Sequence, residues 1–347
     1  MALRMIQEKI STRFRIGIIG PGSICTAYGN ALKDSASVSL ACICGRDTEK
    51  GRKTAERFRV PYYTDQEQMY REQSLDGVLI CTPTYTHEEM VRRALARRIP
   101  VMCEKPLALD TEAARRLTAD AEKARVPFMV MQVVRFWPEY RALAQLIQSG
   151  RLGRIRHIYM SRLSSHPDWT VWHRDPEKSG GGLYDLHIHE LDFLYSVFGP
   201  AETVYAIGDK EENGCFNNVS TCLRFSSGVP AVAEGFMDMT GNFPFSSSFR
   251  VNGEKASVVY ESRTGAMTLY EPGVSGRRLD IPWYDPYREE TEYFADCVRS
   301  KKETAFVPGT DVISVLEILD AVKESLISGK PVRLPQEPET GKSQPAG

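Results

Sequence analysis

The chain has 347 residues, enough for two domains, and its apolar and charged fractions are those of a globular protein. Its 44 Lys and Arg residues balance 45 Asp and Glu residues, so no charge excess points to nucleic acid or an anionic membrane surface. There is no apolar signal sequence and no run long enough to cross a bilayer, and the eight cysteines are scattered. We therefore expect a cytoplasmic protein with reduced, buried thiols and with neither nucleic acid nor membrane as a partner.

The first 135 residues alternate between two hydrophobic patterns. Continuous apolar runs, typical of strands buried on both faces of a parallel sheet, lie at 14–20, 38–44, 77–81, 99–103 and 127–133. Helical patterns separate these runs, at 23–33, 47–58, 86–97 and 111–124. This βαβ alternation predicts an α/β fold with a doubly wound parallel sheet over residues 12–135.

The pattern changes after a helix predicted at 137–149. Strand patterns joined by short turns follow, at 155–163, 202–207, 217–226, 230–239, 246–252 and 256–270. Further helices are predicted at 180–198, 286–300 and 310–328. Consecutive strands with short turns predict a large, mostly antiparallel sheet in an α+β domain over 136–333. Residues 334–347 are rich in Pro, Gly and Glu and predict a disordered tail.

The turn after the first strand carries a dinucleotide fingerprint. Gly20 and Gly22 form its G-x-G, where residues without a Cβ allow a tight turn and a close approach to a pyrophosphate. Ser23 and Ile24 begin the next helix, whose free N–H groups suit a phosphate. Cys25 occupies the third glycine position. We expect a dinucleotide here, with an ordinary βα turn as the alternative.

The end of the second strand bears on which dinucleotide is bound. Gly45 leaves room there, and Arg46 offers a permanently charged, planar fork for a 2′-phosphate. This favours NADP over NAD. Asp47 argues the other way as a ligand of a free ribose hydroxyl, unless it only caps the following helix.

A lysine follows the fourth strand of the predicted sheet, in the sequence Glu104-Lys105-Pro106. A Lys at the carboxyl end of a parallel strand points into the crevice where such folds bind ligands. A cis bond before Pro106 would fix the turn and direct the lysine. The alternative is a surface lysine in a turn.

The stretch GGGLYDLHIHELDFL, 180–194, concentrates acids and histidines among apolar residues. On a regular helix Asp185, His189 and Asp192 fall on one face, and His187 lies roughly opposite, near Glu190. A metal would need further ligands that the sequence does not supply, so we predict none. Proton transfer fits better, because a histidine accepts a proton near neutral pH.

Five motifs in this order resemble the glucose–fructose oxidoreductase, inositol dehydrogenase and MocA-like family over about residues 12–333. They are GIIGPGSI at 17–24, Cys81-Thr82-Pro83 followed by His87, Glu104-Lys105-Pro106, Arg135-Phe136-x-Pro138 and GGGLYDLHIHELD at 180–192. The resemblance implies an N-terminal Rossmann domain and a C-terminal domain with an open antiparallel sheet that makes dimers or tetramers. It also implies NAD- or NADP-dependent oxidation or reduction of a sugar, inositol or related polyol.

The resemblance assigns the catalytic roles to Lys105, Asp185 and His189. We expect His189 to be the general base or acid, with Lys105 polarising the substrate oxygen and Asp185 positioning it. The family often has Gly where this chain has His187, which leaves that residue either in the pocket or outside it.

Two further sets of contact residues complete the predicted site. The expected cofactor contacts beyond the glycine turn and Arg46 are Thr82, Pro83, His87, Glu104 and Lys105. The expected substrate contacts are Arg135, Trp172, Arg174, Asp192 and Tyr287.

Two alternatives to a polyol dehydrogenase stay open at this point. One is a non-catalytic sensor of a dinucleotide or sugar on the same fold, although a sensor has no need of the Lys105, Asp185 and His189 set. The other is an enzyme for a non-sugar substrate, such as a dihydrodiol dehydrogenase or an imine-type reductase.

Overall fold

The computed structural model describes residues 13–46, 48–167 and 172–335. Six parallel strands form the N-terminal sheet: β1 (Phe14–Ile19), β2 (Val38–Cys44), β3 (Tyr62–Tyr63), β4 (Gly77–Ile80), β5 (Val101–Glu104) and β6 (Phe128–Met131). Their spatial order is β3-β2-β1-β4-β5-β6, the order of a dinucleotide-binding doubly wound sheet. The predicted doubly wound sheet is therefore confirmed, and its strand order reverses between β1 and β4.

Five helices accompany this sheet: α1 (Ser23–Ala31), α2 (Glu49–Phe58), α3 (Gln66–Glu72), α4 (His87–Ala96) and α5 (Thr111–Ala124). The central strands are buried, with Ile16, Val78 and Met102 inaccessible to solvent. Such strands read as continuous apolar runs because helices cover both faces of the sheet.

Nine strands form the C-terminal sheet: β7 (Ile155–Leu163), β8 (Ala201–Lys210), β9 (Phe216–Phe225), β10 (Pro230–Phe236), β11 (Ser246–Gly253), β12 (Ser257–Glu261), β13 (Ala266–Tyr270), β14 (Arg277–Arg278) and β15 (Val332–Arg333). Their order is β14-β13-β12-β11-β7-β10-β9-β8-β15. Neighbours are antiparallel except β7 and β10, which run parallel. The mostly antiparallel sheet is confirmed.

Five α-helices belong to this second half: α6 (Pro138–Gln148), α7 (Pro176–Ser179), α8 (Ile188–Phe198), α9 (Pro286–Ser300) and α10 (Gly309–Ser328). α9 and α10 pack back on the N-terminal domain. The hydroxyl of Thr111 donates to Asp320, and that of Ser35 donates to Glu292. In the described ranges no helix is long and apolar enough to span a bilayer.

The structure differs from the predicted elements in several places. The strand predicted at 256–270 is two strands, β12 and β13, because a turn separates them at 262–265. The short β3 and the polar α3 were not predicted. The helix predicted over 180–198 contains one π-helical turn, Leu183–His187, before α8 begins. Of the predicted tail, residues 336–347 lie outside the described residues.

The predicted burial of the cysteines is confirmed except at Cys222, which is exposed. All eight lie in the described part of the chain, seven are buried, and none forms a disulfide. Burial raises the pKa of the Cys25 thiol to about 12, so this thiol is protonated at neutral pH.

Candidate active site

The turn between β1 and α1 has the backbone that a pyrophosphate needs. Gly20 adopts a φ of 105°, and a Cβ on it would lie 2.6 Å from the carbonyl oxygen of Cys81. A Cβ on Gly22 would meet open space, so the backbone is accessible there. α1 begins directly after Gly22, and Ser23 at its N-terminus is exposed. The free N–H groups of this helix end and the close backbone approach fit a dinucleotide phosphate.

The carboxyl end of β2 is fixed beside this turn. A Cβ on Gly45 would lie 2.4 Å from Cδ of Pro21, so the missing side chain lets the two turns pack together. Arg46 is exposed, and its carbonyl oxygen accepts a 2.6 Å hydrogen bond from the Tyr62 hydroxyl. Its guanidinium therefore extends from a fixed backbone at the edge where dinucleotide ribose is bound in this fold.

Asp47, the predicted ribose ligand in the NAD interpretation, lies outside the described residues. The same holds for its alternative role as a helix cap, and among the described residues Thr48 is the N-cap of α2. The Thr48 hydroxyl oxygen accepts a 3.1 Å hydrogen bond from the N–H of Gly51.

His87 and Glu104 support the crevice from inside. Nδ1 of His87 lies 3.0 Å from the carbonyl oxygen of Pro106, and Nε2 lies 2.8 Å from that of Thr82. His87 is buried, and burial lowers its pKa. The carboxyl of Glu104 is also buried and accepts a hydrogen bond from the N–H of Lys105. We therefore correct the prediction that these two side chains contact the cofactor, because they hold the turns after β4 and β5.

The other predicted cofactor contacts of this region lie at the surface of the crevice. Thr82 and Pro83 are partly exposed and directly follow β4 and Cys81, at the edge that faces Gly20. The Thr82 hydroxyl accepts a 2.8 Å hydrogen bond from Thr86. Their backbone positions fit contact with a dinucleotide bound at the glycine turn.

Lys105 joins the two domains at the mouth of the crevice. It follows β5, and its bond to Pro106 is cis, as the sequence suggested. Its Nζ donates to Oδ1 of Asp185 at 2.8 Å and to the carbonyl oxygen of Asp185 at 2.6 Å. Burial opposes ionisation of Asp185, but the charge and hydrogen bond of Lys105, together with His173 and His166, lower the pKa of the carboxyl. The Asp185 carboxyl is therefore ionised at neutral pH.

His189 belongs to the same cluster as Lys105 and Asp185. The residue is partly exposed, and its Nδ1 is buried without a hydrogen-bond partner among the described residues. Burial lowers the pKa of His189 well below its usual value, and the charges of Lys105 and Arg162 lower it further. The ring is therefore neutral at neutral pH and can accept a proton.

The π-helical turn changes which residues share a face. It contains Asp185 and ends two residues before His189, so the regular helix assumed for them is wrong, and a π turn often occurs at a functional site. Asp185 faces Lys105, while His187 is fully buried with its Nε2 2.8 Å from the Thr221 hydroxyl. A Cβ on Gly235 would lie 2.7 Å from Cβ of His187. His187 thus packs against the sheet, outside the crevice.

Arg135 and Asp192, both predicted to contact the substrate, bind each other instead. Two guanidinium nitrogens of Arg135 donate to the Asp192 carboxylate at 2.7 and 2.8 Å. A third donates to Asp311 and to the carbonyl oxygen of Phe306. Both side chains are at most 3 % exposed. We therefore correct the prediction that Arg135 and Asp192 contact the substrate, because a buried arginine that is paired with a carboxylate stabilises the fold.

The three remaining predicted substrate contacts have different surroundings. Trp172 is partly exposed, and its ring centroid lies 6.5 Å from that of Tyr85 in the N-terminal domain. Arg174 is exposed. Tyr287 packs edge-on against Tyr28, with centroids 4.9 Å apart. Trp172 and Arg174 stay candidates for substrate contact, whereas Tyr287 lines a buried network described below.

Sequence reasoning missed His166 and Asp238, and it did not give His173 a role. Nδ1 of His166 lies 2.5 Å from Asp238 Oδ1, while its Nε2 is buried without a partner among the described residues. Nδ1 of His173 is likewise buried and without a partner there. Both His166 and His173 contribute to the lowered pKa of Asp185.

The only feature of the sequence that could have indicated the contact between His166 and Asp238 is that each residue follows the end of a strand. His166 follows β7 and Asp238 follows β10. These strands are parallel neighbours, so their carboxyl ends meet at one edge of the sheet. The sequence did not show that β7 and β10 pair, and therefore it could not bring the two residues together.

Residues that could hold a metal do not assemble in the described ranges. There, no three His, Cys, Asp or Glu side chains come together in a way that would hold an ion. The arrangement of Gly20, Gly22 and the α1 N-terminus fits a dinucleotide, and the Lys105, Asp185 and His189 cluster fits proton transfer to or from an oxygen.

Known proteins share this arrangement of domains. The chain is 28% identical over 334 residues to a myo-inositol 2-dehydrogenase of Thermotoga maritima, covering 92% of this chain and 98% of the relative. It is 25% identical over 329 residues to a trans-1,2-dihydrobenzene-1,2-diol dehydrogenase of Mus musculus, covering 90% and 96%. The structure of an aldose-aldose oxidoreductase from Caulobacter crescentus complexed with glycerol has a similar fold, with a TM-score of 0.83 and 21% identity over 93% of this chain and 100% of that one.

Family models match both halves of the sequence. Residues 14–132 match the GFO/IDH/MocA oxidoreductase family with its NAD-binding Rossmann fold, and residues 140–259 match the GFO/IDH/MocA C-terminal domain. The matches together cover more than half of the chain. The first spans the N-terminal sheet, and the second spans the C-terminal strands from β7 into β12. The resemblance read from the five motifs is confirmed, and the chain belongs to the GFO/IDH/MocA family of oxidoreductases.

Proposed function

We propose that this oxidoreductase transfers hydride between NADP and a secondary carbinol or keto carbon of a sugar, inositol or related polyol. The observation that carries the proposal is the cluster of Lys105, Asp185 and His189. Lys105 follows β5 at the carboxyl edge of the Rossmann sheet, the same edge as the glycine turn after β1. A substrate carbon in this crevice would face both the dinucleotide and the proton-transfer groups.

The charges of the cluster suit oxidation of an alcohol. The bound dinucleotide supplies the hydride acceptor. Loss of hydride from a carbinol requires the hydroxyl proton to leave, and neutral His189 accepts it. Lys105 donates to the substrate oxygen and stabilises negative charge on it, while Asp185 holds the ammonium in place through its 2.8 Å contact. In the reverse direction His189 returns the proton to the alkoxide.

Unpartnered histidine nitrogens support a ligand with several hydroxyl groups. His166, His173 and His189 each have one buried ring nitrogen without a partner among the described residues. A hydroxyl both donates and accepts, so it can satisfy either state of such a nitrogen. Asp238 fixes the His166 ring from the other side. A polyol would supply one hydroxyl to the reaction and others to these rings.

The preference for NADP rests on Arg46. It is the exposed residue at the carboxyl end of β2, with its backbone fixed by Tyr62. A guanidinium pairs with a phosphate through two parallel hydrogen bonds. NAD is the alternative, with Asp47 on the ribose.

A dihydrodiol is the second candidate substrate. It is favoured by the similarity to the dihydrodiol dehydrogenase of Mus musculus over nearly the whole of both chains. The aromatic pair of Trp172 and Tyr85 beside the crevice offers apolar surface for such a ring. The imine-type substrate has no comparable observation in its favour.

A homodimer or homotetramer through the C-terminal sheet is part of the proposal. Large apolar side chains alternate outward on its strands, namely Tyr205, Ile207, Val259 and Tyr270. These side chains lie toward the two ends of the sheet, on β8 and on β12 and β13, and apolar side chains exposed on a sheet suit burial in a protein interface. Sedimentation velocity of the wild type and of Val259→Glu tests this, with a shift toward monomer expected for the variant.

Fluorescence titration with NADH and NADPH, followed by a substrate panel, tests the proposed activity. The panel contains inositols, aldoses, keto-sugars and a trans-dihydrodiol, and the control is Lys105→Met. We expect tighter binding of NADPH, and turnover of one sugar or polyol group that the control lacks. Turnover of the dihydrodiol alone would support the second candidate. Dinucleotide binding without any turnover would favour a sensor, and no binding would contradict the nucleotide site.

A further inference from the structure

A buried network of two carboxyls and one phenol lies behind Lys105. The hydroxyl of Tyr28 lies 2.8 Å from Oε1 of Glu104 and 3.1 Å from Oε2 of Glu290. Tyr28 and Glu290 are inaccessible to solvent, and Glu104 is 8 % exposed. The other carboxyl oxygen of Glu104 accepts a 3.2 Å hydrogen bond from the backbone N–H of Lys105. The network therefore ends at the backbone of the residue that binds Asp185.

Three separate elements meet in this network. Tyr28 lies in α1, directly after the glycine turn, and Glu104 ends β5. Glu290 lies in α9 of the C-terminal half. The hydrogen bonds thus connect the nucleotide-binding helix and the Lys105 turn to the second domain.

The hydrogen bonds require a proton on one of the carboxyls. A phenol has one hydrogen, so Tyr28 donates to only one of two carboxylates. The second contact is a hydrogen bond only if the other carboxyl is protonated and donates to the phenol oxygen. Two ionised carboxylates and one phenol would leave a buried acceptor without a donor, which is costly.

The surroundings indicate that Glu290 is the protonated member. Burial raises the pKa of Glu290 well above its usual value, and the charges of Glu104 and Asp192 raise it further. Hydrogen bonds from the Tyr28 hydroxyl and the N–H of Gln132 lower this pKa but do not cancel the effect. Burial also raises the pKa of Glu104, to about 7, but Lys105 opposes this. The remaining titratable groups that act on the network are Asp185, Cys81 and Tyr287. None of these is a cation close to Glu290.

We propose that Glu290 is a positioning residue, whose bound proton lets Tyr28 orient the Glu104 carboxylate under the Lys105 turn. The carboxylic acid of Glu290 donates to the Tyr28 oxygen, and the Tyr28 hydroxyl donates to the Glu104 carboxylate. Loss of the Glu290 proton breaks one of these bonds and frees the Lys105 turn. Turnover then falls on the alkaline side, through a group that touches neither substrate nor cofactor.

The test compares Glu290→Gln with Glu290→Ala over a pH series. The glutamine amide donates to the Tyr28 oxygen without a titrating proton. We expect Glu290→Gln to keep wild-type turnover at neutral pH to within about twofold and to lose the Glu290-dependent alkaline decline. Glu290→Ala should lower turnover by about tenfold at every pH, the effect of one lost hydrogen bond. Asp296→Asn, at an exposed carboxylate on the same helix, is the matched control and should behave as wild type.

A second measurement does not depend on turnover. The infrared difference spectrum of wild type minus Glu290→Gln should contain the carbonyl band of a protonated carboxylic acid at neutral pH. Absence of this band, or an unchanged alkaline decline in Glu290→Gln, would overturn the proposal. The activity readout rests on the proposed function, whereas the infrared band does not. Absence of turnover with every substrate would therefore contradict the proposed function. The infrared spectrum would still show whether Glu290 is protonated.

Discussion

The ammonium of Lys105 lies 2.8 Å from a carboxylate oxygen of Asp185 and 2.6 Å from the carbonyl oxygen of the same residue. Lys105 belongs to the Rossmann domain, and Asp185 belongs to the π-helical turn of the second domain. The candidate proton-transfer site is therefore assembled across the junction of the two domains. Contacts that hold the two domains together therefore also determine the geometry of the site.

Removal of the Lys105 charge should abolish most of the chemistry. In Lys105→Met the substrate oxygen loses its donor, and we expect turnover to fall by about 10²–10⁴-fold. Steady-state kinetics with the preferred dinucleotide measures this. Lys105→Arg keeps the charge but changes the shape of the donor, so it should recover only part of the rate. Full activity in Lys105→Met would remove this residue from the mechanism.

Replacement of His189 separates proton transfer from cofactor binding. His189→Ala should lower turnover by about 10²–10⁴-fold, because the substitution removes the proposed proton acceptor. Dinucleotide affinity, measured by fluorescence titration, should be nearly unchanged. His187→Gln is the matched control on the same segment, because His187 packs against Thr221 and Gly235. Equal rates in His189→Ala and wild type would contradict the assignment.

His187 should make the fold sensitive to acid. Burial lowers the pKa of His187 from 6.5 to about 3, so between these values the unfolded chain binds more protons than the folded chain. Above pH 6.5 the burial of neutral His187 does not lower the free energy of unfolding. As the pH falls from 6.5 to about 3, the free energy of unfolding declines by at most about 1.4 kcal/mol per pH unit.

In His187→Gln this part of the acid dependence should vanish. Urea unfolding of both proteins across the window measures the difference between them. Parallel stability curves for the two proteins would show that His187 does not titrate as a buried group.

Arg135 should affect stability rather than substrate binding. Arg135→Met leaves the buried Asp192 carboxylate without its main partner, and we expect the free energy of unfolding to fall by about 3–5 kcal/mol. The double variant Arg135→Met/Asp192→Leu should recover part of this loss, because no charge stays buried and unpaired. A raised KM with unchanged urea stability would return Arg135 to the substrate-binding set.

Arg46 should determine the preference between the two dinucleotides. Arg46→Ala removes the guanidinium proposed to pair with the 2′-phosphate, and we expect NADPH affinity to fall by about tenfold or more with little change for NADH. Titration with both dinucleotides measures the ratio of affinities. A parallel loss for NADH would mean that Arg46 contacts a part common to both.

The regular elements could be predicted because burial leaves a periodic trace. Strands β1, β2 and β4 are covered on both faces and read as unbroken apolar runs. The two-residue strand Tyr62–Tyr63 and the polar helix Gln66–Glu72 are too short and too polar for such a trace. The π-helical turn was also invisible, since a change from i→i+4 to i→i+5 hydrogen bonds depends on packing and not on residue spacing.

The sequence by itself determined the doubly wound sheet, the glycine turn and the family, because these depend on local periodicity and on motifs contiguous in the chain. Only the tertiary structure decided which charged groups bind each other. Arg135 and Asp192 are 57 positions apart, and Glu290 meets Tyr28 across 262 positions. In a folded chain a buried charged or protonated group binds a partner on the element that packs beside it. The packing of the two domains determines which element that is.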